Sequence, residues 1–309
     1  MNVTRNTYFG RLQELSDSDD RIIFVSADCA GLVFDEYRET HPKQFLSVGI
    51  AEQNMIAVAC GLALSGKRPI AYGHAPFVTI RALDQIRNCA ALMRLPLSIV
   101  ANGVGFAQPY FGATHFNTED CNTMGSIPGI QIITPCSPQM GRETADYAMV
   151  SQTPIYTRFD PLCDAEVYSG HSIDFEKGFE PLRYGKDVVI VTCGSYTHRV
   201  LELSNSWRNS SIDATIIDIY SIPFDSDGLL ERIGEMPIVV IDEQVICGSL
   251  GMMILYELNK YGKHNAIKIM GIDFNGSYPD ISSNNYSSVR KMYRLTDDDI
   301  TKTVLSVAN

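Results

Sequence analysis

Six short apolar runs, rich in β-branched residues, punctuate the chain at 21–27 (RIIFVSA), 96–102 (PLSIVAN), 130–135 (IQIITP), 187–193 (DVVIVTC), 214–220 (ATIIDIY) and 237–242 (PIVVID). Being continuous rather than alternating, they predict strands buried on both faces. Longer stretches with helical spacing lie between them, at 52–66, 82–94, 140–152 and 248–260. Alternation of the two patterns predicts an α/β fold with parallel sheets. The stretch 159–186 breaks the rhythm: Pro161, Gly170, Gly178, Pro181 and Gly185 fall among mixed charges with no sustained period. It is read as an interdomain linker, which gives a first domain at 1–160, a linker at 161–186 and a second domain at 187–309.

Composition narrows the classes. A chain of 309 residues with 45% hydrophobic and 20% charged residues has length and apolar content for two cores. Its formal charge of -11 and pI near 5.0 repel phosphate backbones, and no dense Lys/Arg run offsets this, so nucleic acid is not an expected partner. The first twenty residues lack a signal-like apolar core, and no stretch reaches the roughly 18 consecutive apolar residues of a membrane span. No membrane association and a cytoplasmic location are the expectations. Eight cysteines stand singly, mostly in apolar strings, without CxxC pairs. They read as reduced core residues, and no metal site is assigned.

Candidate chemistry concentrates between Ser47 and Phe77. Gly49-Ile50-Ala51-Glu52-Gln53-Asn54 puts a carboxylate at the opening of an apolar helix. Glu52 alone is better explained as a residue stabilised by the helix amides. The whole string decides more: GIAEQN, then GLALSGKRPIA, then APF and DQIRN, resembles the pyrimidine-binding domain of transketolases. The resemblance continues through Gly112-Ala113-Thr114-His115, the stretch PGIQIITPCSP from Pro128, PIYTR from Pro154, and the second unit.

That resemblance implies two parallel-sheet α/β domains: a thiamine-diphosphate pyrimidine-binding fold followed by a transketolase C-terminal-like domain. It implies that Glu52 hydrogen-bonds N1′ of the cofactor's aminopyrimidine, promoting the imino form that removes the thiazolium C2 proton. Phe77 matches an aromatic residue that stacks on the pyrimidine, with an ordinary core phenylalanine as the alternative. His74 stands where relatives carry another aromatic residue, so it would line the ring pocket. Asp28 matches a cofactor-proximal position, or else belongs to a strand-end turn. His115 matches a catalytic-channel histidine that also contacts substrate. Arg158 and Arg5 match arginines that hold a sugar phosphate, for which a planar guanidinium offers two parallel hydrogen bonds.

The loop from Asn102 to His115 departs from the family. Asn102-Gly103 replaces a histidine near its start, and Phe111 replaces an aspartate. Those groups read sugar hydroxyls, and losing them changes preference by orders of magnitude. A deoxy, branched or otherwise modified sugar is the expected acceptor, with Phe111 offering it apolar surface. The family's diphosphate and magnesium motif, GDG followed by Asn, does not occur in this sequence. Thiamine diphosphate and Mg2+ would be held mainly by a partner subunit carrying GDG…N, in an α2β2 heterotetramer acting on small sugars. A 2-oxo acid dehydrogenase E1 β-like subunit and a pyruvate-decarboxylating synthase subunit are the nearest alternatives, and a non-catalytic regulatory scaffold is one of another class.

Overall fold

The computed structural model describes residues 3–27, 32–274, 276, 278 and 285–308. Two compact units divide them. One holds the described residues up to Val104 together with Thr123–Glu166; the other holds Gly105–Asn122 and the described residues from Val167 onward.

The first unit is built on six parallel strands: β1 (Ile22–Ser26), β2 (Phe45–Ser47), β3 (Arg68–His74), β4 (Ser98–Asn102), β5 (Gln131–Ile133) and β6 (Ile155–Phe159). Their order is β5-β6-β4-β3-β1-β2. β1 has no exposed residue, as its continuous apolar run requires. One side of the sheet packs on aromatic residues. Phe9 meets Phe24, Phe34 and Tyr72 edge-on at centroid distances of 5.6, 5.0 and 5.2 Å, a favoured aromatic geometry. The helix Val3–Ser16 lies against the helix Pro138–Val150, where a Cβ on Gly141 would stand 2.4 Å from the Thr4 carbonyl oxygen. Only glycine permits that approach.

The second unit carries β7 (Phe179–Arg183), β8 (Val188–Thr192), β9 (Ala214–Ile219), a two-residue β10 (Ser221–Ile222), β11 (Ile238–Val245) and β12 (Ile267–Ile272). A five-stranded sheet runs β12-β11-β8-β9-β7, parallel except that β7 pairs antiparallel with β9. β7 falls within the stretch read from sequence as linker. Alternate strand residues feed two cores: Val188, Ile190, Ile216, Val239 and Ile241 on one face, Val189, Val191, Ile217, Ile238 and Val240 on the other.

The segment Gly105–Asn122 completes the first of these cores. Phe106 and Phe116 are buried there edge-to-face at 5.0 Å, and Tyr293 stacks on Phe106 at 5.4 Å. Polar contacts hold it to β11: the Phe106 amide donates to Glu243 Oε2 at 3.0 Å, the Cys121 amide to Gln244 Oε1 at 3.1 Å, and the Val245 amide to the Thr118 carbonyl at 2.7 Å. Gly105 sits at φ 61°, a backbone conformation that L side chains rarely adopt, and a Cβ there would displace the Glu243 carboxylate.

The seven described cysteines are free thiols. The Cys60 thiol is pushed up to about 12 by burial, with Cys89 adding to the shift, so it is chemically quiet. Among the described residues no helix is long and apolar enough to cross a membrane.

Candidate active site

β1 lies between β2 and β3, so the chain reverses its direction of winding after β2. In a parallel sheet, ligands bind beyond the carboxyl ends of the strands at such a reversal. Two described segments follow those ends: Val48 to Glu52 after β2, and Ala75 to Arg81 after β3.

Gly49 takes φ 74°, a left-handed turn open to glycine, and Ala51 caps the helix Glu52–Leu64 without a side-chain hydrogen bond. Glu52 is the first helical residue and is 5% exposed. Its Oε2 accepts from Arg81 Nη1 at 2.8 Å, while Oε1 accepts nothing from the described residues. An isolated buried carboxylate is costly, so this guanidinium supplies the countercharge. The Arg81 guanidinium also lies over the Phe77 ring, its Cζ 4.0 Å from the centroid. Phe77 in turn meets His74 edge-on at 6.1 Å. The turn holding these residues is tight: a Cβ on Gly73 would stand 2.5 Å from Val78 Cγ1, and Thr79 Oγ1 donates to the Ala75 carbonyl at 2.6 Å.

His74 is in register with Asn102 at the end of β4, so both side chains leave the same face of the sheet. Asn102 Oδ1 is buried and has no donor among the described residues. This edge therefore presents a buried carboxylate, an aromatic face, an imidazole and an orphaned amide oxygen. Such a set suits a planar heterocycle carrying N–H groups.

The other sequence candidates are placed differently. Arg158 is 4% exposed within β6, in register with Ala101, and is not a surface arginine. Arg5 is half-buried on the helix Val3–Ser16, with Nη2 donating to Asn6 Oδ1 at 3.1 Å. His115 and Phe111 belong to the second compact unit, where their rings stack at 4.7 Å and Thr114 Oγ1 lies 3.0 Å from His115 Nδ1. The Tyr110 ring lies 4.7 Å from that of Phe111, and both side chains are exposed. Asp28 lies outside the described residues. Arg81 was not among the sequence candidates; the available signal was an arginine four residues after Phe77, one helical turn on.

The chain matches the family model "Transketolase, pyrimidine binding domain" over residues 3–160 and "Transketolase, C-terminal domain" over residues 178–300. It is 27% identical to the B subunit of the apulose-4-phosphate transketolase of Phocaeicola vulgatus, over 99% of this chain and 97% of that protein. It is 29% identical to the 6-deoxy-6-sulfo-D-fructose transketolase subunit SqwH of a Clostridium species, covering 80% of this chain and 78% of the relative. Among solved structures, the one described as "Split gene transketolase, inactive beta4 tetramer" superposes with a TM-score of 0.83 at 28% identity, covering 99% of this chain and 97% of the other. Matched along nearly its whole length, in sequence and in fold, the chain belongs to the transketolase family of thiamine-diphosphate-dependent transferases, with similarity to one of the two subunits of members encoded in two parts.

Proposed function

We propose that this chain is the pyrimidine-binding subunit of a split, cytoplasmic transketolase that moves a two-carbon ketol unit from a ketose to a modified aldehyde sugar phosphate. The observation that carries the reading is the buried Glu52 carboxylate with an open oxygen, linked through Arg81 to the Phe77 ring at the carboxyl edge of a parallel sheet. Relatives named for apulose 4-phosphate and 6-deoxy-6-sulfo-D-fructose support a modified sugar as substrate.

Thiamine diphosphate, when bound, supplies the nucleophilic carbon of the reaction. The residues of this chain fit its pyrimidine half. Glu52 would hold or yield a proton at the ring's N1′ through its carboxylate, and the carboxylate's burial excludes water from that exchange. Phe77 would give the ring a stacking face. His74 would line its edge, and Asp28 would lie near the cofactor. Arg158 and Arg5 would bind the substrate phosphate, His115 would act on the substrate in the channel, and Phe111 would select against a hydroxyl. The diphosphate and Mg2+ would be held mainly by a partner chain with GDG…N, in an α2β2 assembly.

The test is turnover by this chain co-expressed with such a partner, in thiamine diphosphate and Mg2+, on a panel of ketose donors, pyruvate and aldehyde acceptors, with Glu52→Ala as control. Two-carbon transfer from a ketose that Glu52→Ala abolishes supports the reading. Pyruvate consumption would move the chain to a decarboxylating branch, and an assembled, cofactor-loaded complex without turnover would favour a regulatory scaffold.

A further inference from the structure

Arg81 performs no step in the proposed reaction, yet it occupies both groups assigned to the cofactor ring. Its Nη1 donates to Glu52 Oε2 at 2.8 Å, and its Cζ sits 4.0 Å from the Phe77 centroid. A guanidinium is planar, delocalised, rich in N–H donors and able to stack on aromatic faces. An aminopyrimidine shares that description: it is flat, offers a ring nitrogen to a carboxylate and stacks by its face. The two groups compete for one aromatic ring, and Arg81 already holds one of the two carboxylate oxygens.

Burial says which partner moves. The Glu52 side chain is 6% exposed and anchored at a helix start, whereas the Arg81 side chain is 44% exposed. Beyond Glu52 and Phe77, the Arg81 side chain makes no hydrogen bond, ion pair or ring contact among the described residues. It can withdraw on its flexible stem at the loss of those two contacts alone.

We infer that Arg81 is a placeholder for the cofactor's pyrimidine, a positioning residue that neutralises Glu52 and covers Phe77 until the ring displaces it. The inference rests on the assignment of Glu52 and Phe77 to the pyrimidine. It has a physical motive, because an empty ring pocket would leave a buried carboxylate without a countercharge, and Arg81 supplies one. It also fixes a sign: removing the guanidinium removes a competitor, so the cofactor binds more tightly although a contact to its own binding residue has been deleted. A guanidinium that stayed on Glu52 to orient it would give the opposite sign.

The experiment is calorimetric titration of thiamine diphosphate with Mg2+ into the complex of the full chain and its diphosphate-binding partner, for wild type, Arg81→Gln, Arg81→Lys and Glu52→Gln. Arg81→Gln is expected to tighten Kd by about fivefold, the scale of a part-exposed ion pair. Arg81→Lys, which keeps the charge and loses the planar stack, should fall between. Without cofactor, Arg81→Gln should melt lower than wild type, and the Glu52→Gln/Arg81→Gln pair should recover the loss. A weakened or unchanged Kd in Arg81→Gln overturns the inference, since Arg81 is then a fixed strut or a bystander. Unchanged affinity in Glu52→Gln removes the assignment of Glu52 to the ring, and the inference fails with it.

Discussion

Glu52 is the residue at which burial and charge are most at odds. A carboxylate that is 5% exposed has one guanidinium as its countercharge and one oxygen left open to the described residues. Replacement by glutamine keeps the shape and removes the proton-carrying group. Ketol transfer by the assembled enzyme should therefore fall at least about 100-fold, the usual scale for losing a positioned acid or base, with an unchanged circular dichroism spectrum. Phe111 carries a second expectation. Exposed and stacked on His115, it offers an apolar face where hydroxyl recognition would need a polar group, so Phe111→Asp should shift acceptor preference toward hydroxylated sugars in competition assays. An unaltered ranking of acceptors would refute that role. Glu52, Phe77 and His74 could be singled out as candidates because one string of sequence carries all three. Arg81 was not, since its ion pair spans 29 positions and exists only because the turn after β3 returns the chain to the helix start.

At the scale of elements, the buried runs of β1, β4, β5, β8, β9 and β11 were readable because double-sided burial demands unbroken apolar sequence. Four of the six missed strands violate that pattern plainly. β2 is three residues long and half open to solvent, β3 contains Pro69 and Gly73, β6 contains buried Arg158, and β7 is an antiparallel edge strand with Pro181. The helical pattern at 82–94 likewise resolves into a short α turn followed by a π-helical stretch over Ile86–Ala91. Helix-on-helix packing in the first unit gives two further predictions. Gly141→Ala puts a Cβ 2.4 Å from the Thr4 carbonyl oxygen, a backbone atom that cannot turn aside. The overlap should outweigh the gain in helix propensity and lower stability by about 1–2 kcal/mol in urea unfolding. The same two helices are joined by Arg142, whose Nη1 and Nη2 grip the Glu14 carboxylate at 3.1 and 2.7 Å. Hydrogen bonds from Arg142 and then Arg11 hold the Glu14 carboxyl down to about 2. A carboxyl lowered in the folded state contributes stability that is complete above its unfolded value of about 4 and is lost as pH falls through the folded value. Arg142→Met should thus raise the Glu14 titration midpoint seen by NMR and flatten the fall in stability across that window.

On the scale of the whole molecule, the second unit is not one continuous stretch of chain. The polypeptide leaves the first unit after Val104, contributes Gly105–Asn122 to the second, and returns to the first at Thr123 before crossing again near Val167. The sequence hid this, because the pattern breaks at 159–186 are conspicuous while those around 105–122 look like an ordinary loop. What the segment contributes is core: Phe106 is fully buried against Phe116 and Tyr293, and its amide holds Glu243. A fragment beginning at residue 167 keeps all five strands of its sheet and yet loses two buried aromatic side chains and the hydrogen bonds that the Phe106 and Cys121 amides give Glu243 and Gln244. It should therefore show poor amide dispersion in NMR and early unfolding in urea, although it spans the whole stretch matched by the C-terminal family model. In the full chain, Phe106→Ala leaves the connectivity intact and opens a cavity in that core, so it should destabilise the second unit by about 3–5 kcal/mol. The first unit, whose aromatic core lies around Phe9 and Phe24, should keep its own transition. If Phe106→Ala instead left both transitions unmoved, the segment would be a surface loop, and the fragment from residue 167 would fold on its own.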